Sequence, residues 1–128
     1  METLQETISQ TGDGDRTLAC VTDVANQVSV DALFATIKAE FGRLDLLFNN
    51  AGINVPGVPF EDLHLADWNS VVSVNLTGMF LCAQGAFRMM KTQSPRGGRI
   101  INNGSISAHA PRPDAAPYTV TKLSLIHI

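Results

Sequence analysis

Short apolar runs alternate along the chain with longer stretches in which apolar residues recur every three or four positions. Three runs read as strands: Thr17–Thr22, Leu44–Phe48 and Arg99–Asn103. Each is a short apolar segment bounded by turn or polar residues, the pattern of a strand buried in a sheet. Between them the period changes. Leu33, Phe34, Ile37 and Phe41 fall on one helix face, with Ser29 as its candidate cap and Gly42 placed to stop it. Val71, Val74, Gly78, Cys82 and Ala86 recur at helical spacing from about Asp67, the candidate cap, to Met90. Gly78 and Gly85 each weaken that helix by about 1 kcal/mol relative to Ala, so close packing against another element is expected there. Leu4 and Ile8 mark the end of a helix stopping near Gly12. Loops are expected over Ile53–Ala66, Thr92–Gly98 and Ala108–Pro117, the last leading into a final helix capped by Asp114.

Strands alternating with helices predict an α/β fold, a partial doubly wound (Rossmann-like) parallel sheet of three strands with flanking helices. The 128 residues suffice for one domain, and 45% apolar with 16% charged residues places the chain among globular proteins. A net charge of −3 and the lack of any basic stretch beyond a dipeptide give no basis for nucleic acid or anionic lipid as a main partner. No apolar run approaches the roughly 20 residues of a membrane span, and the polar N-terminus is unlike a secretory signal. Cys20 and Cys82 lie in apolar runs and are expected as free buried thiols in a reducing, cytoplasmic setting. No Cys/His spacing suggests a metal site.

The candidate chemistry sits between Gly104 and Lys122. Ser105 follows the third strand at its carboxyl end, where open α/β sheets place ligands. Tyr118 and Lys122 are four apart at the start of a helix and share a face. A hydroxyl, a phenol and an ammonium at a strand exit make an acid/base site. Ser107 would face the same way as Ser105 if the strand continued, so alternation alone does not choose between them. Arg112 reads as a surface cation.

In this order the chain resembles the central part of the short-chain dehydrogenase/reductase family. The features that carry the resemblance are Asp23-Val24 at a strand end, Asn49-Asn50-Ala51-Gly52, Val74-Asn75-Leu76-Thr77-Gly78 in a long helix, Ser105, and Tyr118-x-x-x-Lys122. Ser105 lies thirteen residues before Tyr118, the family's usual separation, which selects it over Ser107. The resemblance spans residues 1–122 as a partial NAD(P)-binding domain. It implies an oxidoreductase interconverting an alcohol and a carbonyl, with NAD or NADP as cofactor and a small-molecule substrate. It makes Asn75, Ser105, Tyr118 and Lys122 a catalytic tetrad. Asp23, Val24, Asn50, Ala51, Gly52, Tyr118 and Lys122 become cofactor contacts, and the intact protein is implied to be a homo-oligomer.

The chain also departs from the family. The T-G-x-x-x-G-x-G phosphate loop does not occur in it, and Leu123–Ile128 looks unrelated to the fold. In the family's sheet order, 3-2-1-4-5-6-7, the retained strands are the third, fourth and fifth. The fourth and fifth can pair, whereas the third must stay unpaired or take a non-native edge. The expectation is therefore a piece of marginal stability with exposed apolar faces, a poor nucleotide binder by itself. The alternative is a catalytically silent module that binds full-length subunits.

Overall fold

The computed structural model describes residues 6, 8–10 and 17–125. Residues 6 and 8–10 are helical. The rest of the expected helix end at Gly12, and the last residues of the 123–128 tail, lie outside the described residues.

Helix α1, Gln27–Phe41, begins at Asn26, whose side chain accepts from the Ser29 backbone N–H at 3.1 Å. Asn26, not Ser29, is the cap. Ser29 sits inside the first turn, and its Oγ accepts instead from the Asp23 N–H at 2.9 Å. At the other end Gly42 takes φ 71° and its N–H bonds the Lys38 carbonyl, the left-handed stop that glycine permits. Strand β1, Leu46–Asn49, follows. A 28-residue helical segment then runs over Leu65–Thr92 in three parts. They are α2, Leu65–Val72, a π-helical turn at Ser73–Gly78, and α3, Met79–Thr92. The cap of α2 is His64, without a side-chain bond, so the expected cap Asp67 lies in the first turn, where the helix dipole still favours its charge. Strand β2, Arg99–Asn102, leads through a 3₁₀ turn, Ile106–Ala108, to α4, Ala116–Ser124. Ala115 occupies the α4 cap position; Asp114 stands at φ 56°, outside the extended conformation an N-cap needs.

β1 and β2 form a parallel pair in register Leu46 to Arg99 through Asn49 to Asn102. Among the described residues the sheet has two strands, not three: Thr17–Thr22 is irregular, with Leu18 and Val21 exposed. An apolar run becomes a strand only where a neighbour accepts its ladder bonds, and the neighbours expected from the family order are not among these residues.

Helices cover one face of this sheet. Val30, Phe34, Leu81, Cys82, Ala86 and Met90 make the core, with Leu47 and Ile100 packed against it from the strands. Leu46, Phe48 and Ile101, on the other face, are exposed. By length and composition Leu65–Thr92 could cross a membrane, contrary to the reading of apolar runs alone. A soluble core helix passes the same test, and this one carries much of the core just described.

The helix glycines pack as the sequence predicts. A Cβ on Gly78 would stand 2.9 Å from Val24 Cγ2, and one on Gly85 would overlap the Phe34 ring. Gly85→Ala is therefore expected to destabilise the chain by about 1–3 kcal/mol, as overpacked cores do. The check is the midpoint of urea unfolding, which would stay in place if Phe34 can simply turn aside. Burial also pushes the Cys82 thiol up from its ordinary value. The folded state holds that proton longer than the unfolded chain, so this contribution to stability is lost as pH rises through and above the free-thiol range. At pH 8 a disulfide reagent should label Cys20 first and Cys82 only on unfolding; equal rates would contradict the packing.

Two contacts fix the amino ends of the strands, away from the site. Gln93 binds both the N–H and the carbonyl of Leu44, each at 2.9 Å. Arg43 pairs with Asp45 at 2.6 Å, which holds the carboxyl below and the guanidinium above their ordinary values. Both groups are open to water, so the pair adds little to stability.

Candidate active site

Both strands end in an asparagine pair, and these pairs organise the carboxyl edge of the sheet. Buried Asn49 donates to the Asn102 side chain at 3.0 Å and to the Met79 carbonyl at 3.4 Å. One residue on, the Asn103 amide donates to Asn50 Oδ1 at 2.6 Å, and the Asn103 N–H bonds the Asn49 carbonyl at 2.9 Å. The parallel register sets each asparagine beside its counterpart.

Asn75 lies in the π-helical turn and is fully buried. Its Oδ1 accepts from the Ile53 N–H at 2.7 Å. Its Nδ2 donates to the Ile53 carbonyl at 2.9 Å and to Thr121 Oγ1 at 3.4 Å. One side chain thus ties the segment after Gly52 to α4. A π turn of this kind is common at functional sites.

Lys122 is buried at 4% exposure. Its Nζ donates to the Asn103 carbonyl at 2.8 Å and stands 5.7 Å from the Tyr118 ring centroid. It forms no ion pair with a carboxylate among the described residues. An ammonium has three donors, so buried donors remain for ligand oxygens. Lys122 shares a cavity of about 220 Å³ with Ser105, His109 and Leu125. Ser105 caps the 3₁₀ turn, its Oγ accepting from the Ser107 N–H at 3.1 Å, so its own proton can point elsewhere. Ser107 is buried in the turn. The strand stops at Asn102, so strand alternation does not extend to the two serines and they occupy different surroundings.

The structure thus sets Ser105 and Lys122 on one cavity and the Tyr118 ring beside the Lys122 ammonium, outside that cavity's lining, and joins Asn75 to the Tyr118 carbonyl through Thr121. The other expected contacts are placed as follows. Asp23 is exposed and its carboxylate accepts from the Ala25 N–H at 3.0 Å, closing its own turn. Val24 packs on Gly78 and lines a small recess with Asn49 and Ala51. Gly52 does not have positive φ, and a Cβ there would make only ordinary contacts, 3.5 Å from Asn75 Oδ1 at the nearest. Packing within the protein therefore does not require glycine at 52. Arg112 is exposed. Asn102, Asn103 and Thr121 take part in the network although no motif in the sequence includes them, and Asn49, inside a motif, was given no role of its own. The Asn-Asn doublets closing both strands were the available signal.

A parallel α/β sheet whose carboxyl edge carries a serine and a buried lysine on one cavity defines a class, the α/β proteins with a polar cavity at their strand exits. Comparison narrows the class. The chain matches the short chain dehydrogenase family over residues 1–128 and belongs to it. It is 37% identical over 113 residues to a 3-oxoacyl-[acyl-carrier-protein] reductase of Synechocystis, covering 88% of this chain and 44% of that protein. Among solved structures it is similar to an NAD⁺-bound xylitol dehydrogenase, with a TM-score of 0.78 and 33% identity over 84% of this chain and 40% of that one. It is also similar to ElxO with NADP bound, with a TM-score of 0.76 and 30% identity over 82% of this chain and 42% of that one. The chain spans less than half the length of these relatives.

Proposed function

We propose that the whole protein is an NAD(P)-dependent oxidoreductase that interconverts an alcohol and a carbonyl, and that these residues hold its proton-handling site. The observation that carries this reading is the buried Lys122 ammonium, held on a backbone carbonyl beside Tyr118, with donors to spare. Lys122 fits the ribose hydroxyls of a nicotinamide nucleotide, and Gly52, where protein packing leaves room for a side chain, fits close approach of that ligand to the backbone. When bound, the nicotinamide exchanges a hydride with the substrate carbon.

The remaining chemistry belongs to this chain. Tyr118 gives or takes the alcohol proton at its phenol oxygen. The Lys122 charge stabilises negative charge developing there. Ser105 donates a hydrogen bond to the substrate oxygen and holds it against Tyr118. Asn75 acts by fixing the Ile53 backbone and the α4 turn that carries both Tyr118 and Lys122. Asp23, Val24, Asn50 and Ala51 form the side of the nucleotide site reached by this part of the sheet.

The substrate is a small alcohol or carbonyl compound. We place the protein in the cytoplasm, in keeping with its free cysteines, and as a homo-oligomer, for which the exposed Phe80 and Phe87 of α3 offer apolar surface. The test is turnover by the whole protein of a panel of secondary alcohols and ketones with NAD and NADP, followed at 340 nm. Nucleotide-dependent turnover of any of them supports the reading, and none with either nucleotide overturns it.

A further inference from the structure

Asn103 is bonded to three different parts of the site. Its N–H bonds the Asn49 carbonyl at 2.9 Å, its side-chain amide donates to Asn50 Oδ1 at 2.6 Å, and its carbonyl accepts the Lys122 ammonium at 2.8 Å. The residue is exposed, so its side-chain bond contributes little through burial. What that bond can do is orient. Asn103 lies one residue beyond β2, where the ladder no longer fixes the peptide plane. The amide bond to Asn50 and the N–H bond to Asn49 hold the residue at two points, and its carbonyl is thereby aimed at Lys122. Its partner Asn50 lies one residue beyond β1, in the segment expected to lie under the nucleotide.

We infer that Asn103 is a positioning residue for Lys122: its side chain locks the end of β2 to the segment leaving β1 at Asn50 and so aims the carbonyl that holds the ammonium. This rests on the oxidoreductase reading of Lys122. A leucine at 103 keeps the backbone carbonyl and the approximate size but loses the amide, so the carbonyl can swing and the ammonium with it.

The experiment is a double-mutant cycle on NADH binding by the whole protein, read by nucleotide fluorescence. Asn103→Leu is expected to weaken NADH about three- to tenfold, the scale of one hydrogen bond. In a Lys122→Met background the same substitution should add no further loss, because its effect passes through the ammonium. Asn103→Gln, which keeps an amide donor at an exposed position, should recover most of the affinity. If Asn103→Leu does not fold, Asn103→Ala removes the same donor without added bulk and takes its place in the cycle. Equal losses in both backgrounds, or no loss in either, overturn the inference while leaving the oxidoreductase reading intact. Failure of Lys122→Met itself to weaken NADH counts against that reading and removes the basis of the inference. A parent protein that does not bind NADH overturns both.

Discussion

Tyr118→Phe is expected to lower kcat/KM of the whole protein by about 10²–10⁴-fold, the usual contribution of a positioned general acid or base. Binding of NADH should change little. The substitution removes one oxygen from a ring whose recorded partner is the Lys122 ammonium, and that contact to the ring face remains available to phenylalanine. The two readouts together separate a chemical role from a structural one. A fall in kcat/KM with unchanged nucleotide affinity and unchanged unfolding midpoint marks lost proton transfer. A variant that turns over at the parent rate would remove Tyr118 from the mechanism, whatever its neighbours do.

The second large effect is on stability. Asn75→Leu is expected to destabilise the chain by about 2–4 kcal/mol, since each polar group left without a partner in a buried setting costs about 1–3 kcal/mol. Three bonds end on this one side chain, two of them on the backbone of Ile53. Ile53 is 38% exposed, so water can replace part of what is lost, which keeps the effect below the sum of the bonds. Set against the 5–15 kcal/mol or so typical of a folded domain, the loss is a large one. Ser73→Ala, in the same turn but with its Oγ on an exposed bond to Ser70, is the control and should change stability by about 0.5 kcal/mol or less. Equal midpoints for the two variants would show that Asn75 does not anchor the segment.

Much of this arrangement was legible in the residues. Periodicity located α1 and the long helix because each buries a face, and the face is written in the spacing of Phe34, Val71, Ala86 and their neighbours; the final helix was marked instead by the Tyr118–Lys122 spacing and the loop before it. The two glycines of the long helix announced close packing, and Phe34 and Val24 supply it. Motif spacing pointed to Ser105 and Lys122, which line one cavity, and to Tyr118, whose ring lies beside the Lys122 ammonium. What failed was mostly local and decided elsewhere. Ser29, Asp67 and Asp114 are all good capping types, yet Asn26, His64 and Ala115 hold the positions. A cap is fixed by where the chain bends into the helix, and tertiary contacts move that point by a residue or a turn. For Asp114 the reason is visible: its backbone takes a left-handed conformation, and the chain at Gly57 packs closely against it. Thr17–Thr22 failed as a strand because strand formation is a property of pairs, and no spacing within six residues reveals whether a partner is present. Half of the asparagine network lay in a motif, Asn49-Asn50; what the residues alone did not show was its partner half, which appears only once the parallel register sets Asn102 and Asn103 beside them.

The π-helical turn at Ser73–Gly78 makes the long helix sensitive to length. Such a turn takes in one residue more than an α-helical turn would, and successive helix residues are set about 100° apart. Deleting any one residue from the turn would let it close as an ordinary α-helix. Because the wide turn already absorbs the extra residue, α2 and α3 would keep the faces they bury. What would move is Asn75, inside the turn, whose amide would no longer stand opposite the Ile53 backbone and Thr121. Losing one residue there should therefore release the segment after Gly52 while leaving the core side of the helix in place, so the number of residues in the turn fixes where one side chain stands.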